Sequence, residues 1–159
     1  MSIDTREFRQ ALGCFATGIT VVTARDGAGL PVGLTANSFN SVSLDPPLVL
    51  WSLSLYSNKL AVFQNCSHWT VNVLAADQQG LSQRFAQSES DRFAGLAYSD
   101  GLGGAPRLDG CCAYFECRNE THYAGGDHLI FLGEVERFER HDRPPLLYFG
   151  GRYRQLGEV

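Results

Sequence analysis

Apolar residues along this chain keep two different periods. Phe8, Leu12 and Phe15 recur at helical spacing, so a first helix is expected, capped by Thr5, left-handed at its Gly18 exit, and burying one face. Beyond it the pattern switches to strands. "ITVVTARDGAGLPVGLTA" predicts two of them, Ile19 to Ala24 and Pro31 to Thr35, joined by a short Asp-Gly loop. "PLVLWSL" predicts a third, starting at Pro47 behind a proline pair that fixes an extended approach. "SNKLAVFQN" suits a short helix with Leu60 and Phe63 inward, and "HWTVNVL" a strand with Trp69, Val71 and Val73 on one side. "DQQGLSQRFA" reads as a helix capped by Asp77, with Leu81 and Phe85 four apart. From Gln87 to Asp109 the chain is rich in Gly, Ser and Asp, which predicts a long surface excursion serving as a lid or a dimer arm. "CCAYFECRNETHY" and "HLIFLGEVERF", on either side of "AGGD", predict two long antiparallel strands, and "PPLLYFGGRYRQL" a short final one. About six or seven strands without strand-helix alternation imply a mainly β fold, a closed or nearly closed antiparallel barrel with a few short helices.

Length and composition narrow the field further. The 159 residues suit one domain over 1–159, and 44% hydrophobic with 19% charged residues is an ordinary globular balance. No apolar segment approaches the roughly 20 residues that span a bilayer, so no membrane role is expected. "MSIDTREFRQALGCF" has acids where a secretory leader would have a basic start and an apolar block, which points to the cytoplasm. Five cysteines, an odd count that includes the adjacent Cys111 and Cys112, fit reduced thiols better than a disulfide framework, with Cys117 as a small core hydrophobe. His68, His122, His128 and His141 lack zinc-ligand spacing, and no metal is expected. A net charge of -4, with Lys59 the single lysine beside twelve arginines, provides no broad basic face for nucleic acid.

The usual enzyme motifs are missing. No Gly-x-Gly-x-x-Gly lies between a strand and a helix, and there is no Walker lysine, no Gly-x-Ser-x-Gly and no His-Glu-x-x-His. In their place "GLTANSFNSVSLDPP" crowds Thr35, Asn37, Ser38, Asn40 and Ser41 after a strand. A second donor cluster, Ser52, Ser54, Ser57 and Asn58, ends the next strand and opens a helix at Lys59, where free N–H groups suit a phosphate. Two such clusters with apolar "PLVLW" between them describe a slot for a flat ligand with a phosphate tail. The same residues also serve ordinary turns and caps, and composition leaves both readings open. His128, after "GGD", suits either a substrate contact or a hairpin end; Arg152, Tyr153 and Arg154 suit stacking and anion contact or a solvated terminus.

The order of segments resembles the short flavin reductases of the FMN-binding split-barrel fold. The resemblance runs through "FATGITVVTA", "GLTANSFNSVSLDPPLVLWSL", "VNVLAADQQGLSQRFA", "DRFAG", "GAPRLDGCCAYFEC", "GDHLIFLGEVERF" and "PLLYFGGRY", covering most of the chain. It implies a homodimeric barrel that binds FMN or FAD, takes hydride from NADH or NADPH, and supplies reduced flavin to a partner monooxygenase. By position, Thr35, Ala36, Asn37 and Ser38 would lie along the flavin, and Ser52, Leu53, Ser57, Asn58 and Lys59 at its edge and phosphate. His128 would sit by the nicotinamide, and Arg152 with Tyr153 by the flavin, as expected of residues reaching in from a second subunit. Arg92 and Arg107 are candidates for reading a 2′-phosphate. The alternatives on the same barrel are a flavin or haem carrier without turnover and an FMN-dependent oxidase of the pyridoxamine-phosphate type.

Overall fold

The computed structural model describes residues 2–88 and 91–157. In chain order, α1 (Thr5–Gly13) precedes β1 (Thr17–Gly18), β2 (Thr20–Arg25), β3 (Pro31–Ala36), β4 (Asn40–Leu44) and β5 (Pro47–Ser54). Then come α2 (Leu60–Asn65), β6 (His68–Val73) and a 3-10 turn, Ala76–Gln78, that runs into α3 (Gln79–Ala86). The last third holds β7 (Tyr98–Asp100), β8 (Pro106–Leu108), β9 (Ala113–Gly125), β10 (His128–Arg140), β11 (Leu147–Phe149) and β12 (Arg152–Arg154).

Seven of these strands form one antiparallel sheet in the order β3-β2-β6-β9-β10-β5-β4. Its two edges, β3 and β4, are neighbours in the chain but do not pair. The sheet curls so that Val22, Trp51, Trp69, Val71, Cys117 and Phe131 share one core, against which Val32, Leu34 and Ala36 of β3 pack and into which α2 inserts Phe63. This is the nearly closed antiparallel barrel that the strand pattern implied, split between its edges. Alternation sets the register: Trp51 lies opposite Phe131 across β5 and β10, with their rings stacked 4.8 Å apart. Trp69 and Phe63 meet Trp51 edge-on, at 5.9 and 4.9 Å. Room for this cluster depends on Gly133, where a Cβ would fall 2.5 Å from the Trp69 ring.

Several expectations need correction. Asp4, not Thr5, caps α1, accepting the N–H groups of Arg6 and Glu7 at 2.9 and 3.2 Å. The helix buries no residue; Phe8, Leu12 and Phe15 are all exposed. Gly18 is not a left-handed exit but part of β1, which pairs with β11. Asn40–Leu44, for which the pattern predicted no strand, is the edge strand β4. Asp77 lies within the 3-10 turn, and the Gln78 side chain instead accepts the Ala75 N–H at 2.8 Å.

The Gln87 to Asp109 segment, apart from Glu89 and Ser90, which lie outside the described residues, is not a surface excursion. Phe93, Ala105 and Leu108 are buried, and β7 pairs with β8 over the outer face of β2, β6 and β9. That face is polar and buried: Thr23, Thr70, Asn72 and Glu116 are each 1% exposed or less. Asn72 donates to Val21 O at 2.9 Å and accepts the Leu108 N–H at 2.8 Å. Glu116 takes two hydrogen bonds from Arg137 and one from the Leu102 N–H. Burial alone would raise the Glu116 carboxyl, but these hydrogen bonds and the charges of Arg137 and Arg107 outweigh it and hold the group below its ordinary 4.5. The cysteines are all free thiols; Cys117 lies in the core as expected, and burial pushes the Cys111 thiol up to about 12.

Candidate functional site

Where β3 ends, the chain leaves the ladder for Asn37–Phe39 before β4 begins, and the Asn37 and Ser38 side chains stand exposed. Ser38 clasps β5 across the split: its hydroxyl accepts the Ser52 N–H at 2.9 Å and donates to Ser52 O at 3.2 Å. The two donor clusters singled out in the sequence therefore meet. Two residues further along β5, Ser54 lies opposite His128, the first residue of β10. His128 is bound through Nδ1 to Asp127 at 2.7 Å, and this contact holds the Asp127 carboxyl below its usual range. Thr35, Asn37, Ser38, Ser52, Ser54 and His128 thus form a continuous polar strip along one end of the barrel.

Beside this strip is a cavity of about 230 Å³, lined by Ile19, Thr35, Ala36, Asn37, Ser82, Ala86, Tyr148 and Tyr153. Its wall is tied together at Ser82. Thr35 Oγ1 donates to Ser82 O at 2.6 Å, and the Ser82 hydroxyl is 2.8 Å from the Tyr153 hydroxyl. The Thr35 hydroxyl is therefore committed to α3, whereas no hydrogen bond engages the Asn37 side-chain amide among the described residues. Tyr148 and Tyr153 meet edge to face with centroids 5.6 Å apart, so the hairpin of β11 and β12 supplies an aromatic wall.

The remaining candidates fall around this arrangement. Leu53 points into the core and can offer only its backbone to a ligand. The Ser57 hydroxyl accepts the Lys59 N–H at 3.2 Å, shaping the turn into α2. α2 has six residues, too few for a strong dipole, so positive charge there comes from the Lys59 ammonium. Arg152 is exposed on β12 beside Tyr153. Arg107 lies on the far side of the barrel, paired with Glu139 and over the Tyr114 ring, away from the strip. Sequence reasoning missed Ser82 and Tyr148; each stands within an apolar pattern, and only tertiary contact gives it a role.

A larger cavity, about 510 Å³, lies elsewhere, lined by Arg25, Cys66, His68 and Gly103 among others. In its lining Arg25 is paired with Asp100, and His68 Nε2 lies 2.7 Å from a Glu136 carboxylate oxygen. Among the described residues no three His, Cys, Asp or Glu side chains are grouped to hold a metal, and no helix is long and apolar enough to cross a membrane.

A small split barrel with an unengaged amide, hydroxyls, an aromatic wall and a nearby cation defines a protein class that takes a flat, polar-edged ligand carrying phosphate. That donor set fits a flavin. Residues 12–157 match the flavin reductase like domain, and the chain belongs to that family. Among its relatives, the NADH-dependent FMN reductase SmoA of Agrobacterium fabrum is 45% identical over 150 residues, which span 94% of this chain and 85% of that protein. The reductase component of the flavin-dependent trigonelline monooxygenase of Acinetobacter baylyi is 43% identical over 93% of this chain, which spans only 48% of that longer protein. The structure of the Streptomyces globisporus NADH:FAD oxidoreductase SgcE6, in complex with NAD and FAD fragments, superimposes with a TM-score of 0.92 at 39% identity, covering 97% of this chain and 93% of that one.

Proposed function

We propose that residues 1–159 act as one flavin reductase domain that passes hydride from NADH or NADPH to FMN or FAD. The observation that carries this reading is the clasp between Ser38 and Ser52, which brings the two donor clusters into one strip beside an unengaged Asn37 amide. Names of the relatives support the reaction: an NADH-dependent FMN reductase and an NADH:FAD oxidoreductase. When bound, the flavin and the nicotinamide supply the redox chemistry, and the protein contributes placement and electrostatics.

In this proposal Asn37 and the backbone N–H groups that follow β3 hold the polar edge of the flavin, where donors stabilise negative charge gained on reduction. Ala36 keeps the surface beneath the ring flat and dry. Tyr153, fixed through Ser82, closes one side, with Arg152 next to it. His128, steadied by Asp127, orients the nicotinamide rather than moving a proton. No side chain acts as a nucleophile, and the rate gain comes from holding two rings in near-attack geometry.

A homodimer is supported by unpartnered apolar surface: Phe8 and Leu12 of α1 and Phe15 just beyond it are 52%, 58% and 79% exposed, and Leu44 and Tyr56 are 95% and 89% exposed. Reduced flavin would pass to a flavin-dependent monooxygenase in the cytoplasm, as the trigonelline monooxygenase relative suggests.

The test is NADH and NADPH consumption by purified protein with no flavin, with FMN and with FAD, alongside light scattering for subunit number. Saturable, flavin-dependent consumption is expected. Flavin binding without nucleotide consumption would instead identify a carrier or an oxidase. His128→Ala is expected to raise the KM for NADH, and an unchanged KM and kcat would remove its role.

A further inference from the structure

The cavity of about 510 Å³ lies at the C-terminal end of α2, whereas Asn58, Lys59 and Arg92 line a different opening at the start of that helix. It holds a chain of three side chains with no part in flavin chemistry. The Ser67 hydroxyl is 3.0 Å from His68 Nδ1, and His68 Nε2 is 2.7 Å from Glu136 Oε1. Ser67 and His68 both line the cavity.

The acid decides the tautomer. A carboxylate only accepts, so in the neutral imidazole Nε2 carries the proton and Nδ1 presents its lone pair to the Ser67 hydroxyl. That is the order of nucleophile, base and orienting acid found in Ser-His-Asp sites, with the two ring nitrogens exchanging parts. The ring is also held from one side: Gly103, at φ +64°, comes so close that a Cβ there would fall 2.7 Å from His68 Nδ1.

Two donors remain for an oxyanion. The Ser67 backbone N–H has no partner among the described residues, and Asn65 directs one amide hydrogen to Ala61 O at 2.7 Å, leaving the second. Cys66 is no rival nucleophile, because burial pushes its thiol up to about 11 and keeps it protonated at neutral pH. The Arg25 guanidinium is taken by Gly104 O, Gly29 O and Asp100, so it holds no anionic substrate. Ala61 and Val62 supply the apolar part of the lining, which suits a small neutral acyl group.

We propose that Ser67, His68 and Glu136 form a second catalytic centre that hydrolyses small neutral carboxylic esters, independently of the flavin site. Ser67 Oγ bonds to the ester carbonyl carbon as its proton passes to His68 Nδ1; the bond from that carbon to the alcohol oxygen then breaks, and the alcohol leaves with the same proton. Water, deprotonated by Nδ1, attacks the acyl-serine, and the proton returns to Ser67 Oγ as the acid departs. Glu136 stabilises the imidazolium in both halves.

The experiment follows p-nitrophenyl acetate hydrolysis and fluorophosphonate labelling by the full chain with FMN present, in the wild type, Ser67→Ala and Glu136→Gln, and maps the modified residue by mass spectrometry. Ser67 and Glu136 are exposed, so both variants are expected to fold, which thermal unfolding checks. The wild type should release a burst of nitrophenolate and carry the phosphonyl group on Ser67. Ser67→Ala should lose burst and label and hydrolyse the ester at least about a hundredfold more slowly, and Glu136→Gln about tenfold more slowly. Hydrolysis unchanged in Ser67→Ala, or a label on Cys66 or His68 instead, overturns the proposal. A wild type that neither turns over the ester nor takes the label overturns it without recourse to any variant.

Discussion

Strands β2, β6 and β9 are buried on both faces by different means. Their inward residues, Val22, Trp69, Val71 and Cys117, join an aromatic and aliphatic core in which area removed from water does the stabilising. Their outward neighbours, Thr23, Thr70, Asn72 and Glu116, are just as inaccessible, yet most are held to the Phe93–Cys111 cover by directed hydrogen bonds. One face tolerates changes that conserve volume, whereas the other tolerates almost no change of donor or acceptor. The inner face sets most of the stability. The outer face sets where the cover lies.

The largest effect is expected from Phe131→Ala, which removes the ring stacked on Trp51 and costs about 3–5 kcal/mol in denaturant unfolding. A loss under about 1 kcal/mol would mean that the core collapses around the gap. Next comes Asn72→Ala, which strands the buried Leu108 N–H and costs about 1–3 kcal/mol. Its sharper signature is faster proteolysis or hydrogen exchange in residues 98–108 before the barrel opens; simultaneous loss of both regions would erase the contrast between the faces. Gly133→Ala tests the inner face from the opposite direction, since the added Cβ meets the Trp69 ring and overpacking costs about 1–3 kcal/mol.

Glu116→Gln is the only one of these changes whose effect depends on pH, and since both carboxylate oxygens accept hydrogen bonds, an amide nitrogen at either position faces a donor. Because the folded carboxyl titrates below its ordinary 4.5, the unfolded chain binds its proton first as pH falls. The stability from Glu116 is therefore full at neutral pH, declines from about pH 5 downward, and is gone once pH passes below the folded pKa. Thermal midpoints of wild type and Glu116→Gln should differ at pH 7 and converge as the pH falls below the folded pKa; a constant gap would assign the effect to shape rather than charge.

This contrast explains what the sequence showed and what it concealed. Alternation of Val49, Trp51 and Leu53 exposed β5 and its inward side, and the order of the long strands was readable up to β10. Polar alternation at Thr70 and Asn72, in contrast, ordinarily signals solvent, so the cover over these residues read as a surface excursion. The apolar stripe of α1 had the right spacing but no partner within this chain, and for that reason a face expected to be buried is exposed. At the candidate site the hydroxyl and amide clusters were legible as clusters, but their clasp through Ser38 and Ser52 was not. Ser82 gave no sign at all, because its two contacts come from residues 47 positions before it and 71 after it.

Ser82 also has a kinetic consequence. One residue accepts from β3 through its carbonyl and joins β12 through its hydroxyl, so the strip, α3 and the terminal hairpin share a single fastening. Thermal opening there would release all three together, and deuterium uptake should report one common opening step with matched rates at Thr35, Phe85 and Tyr153.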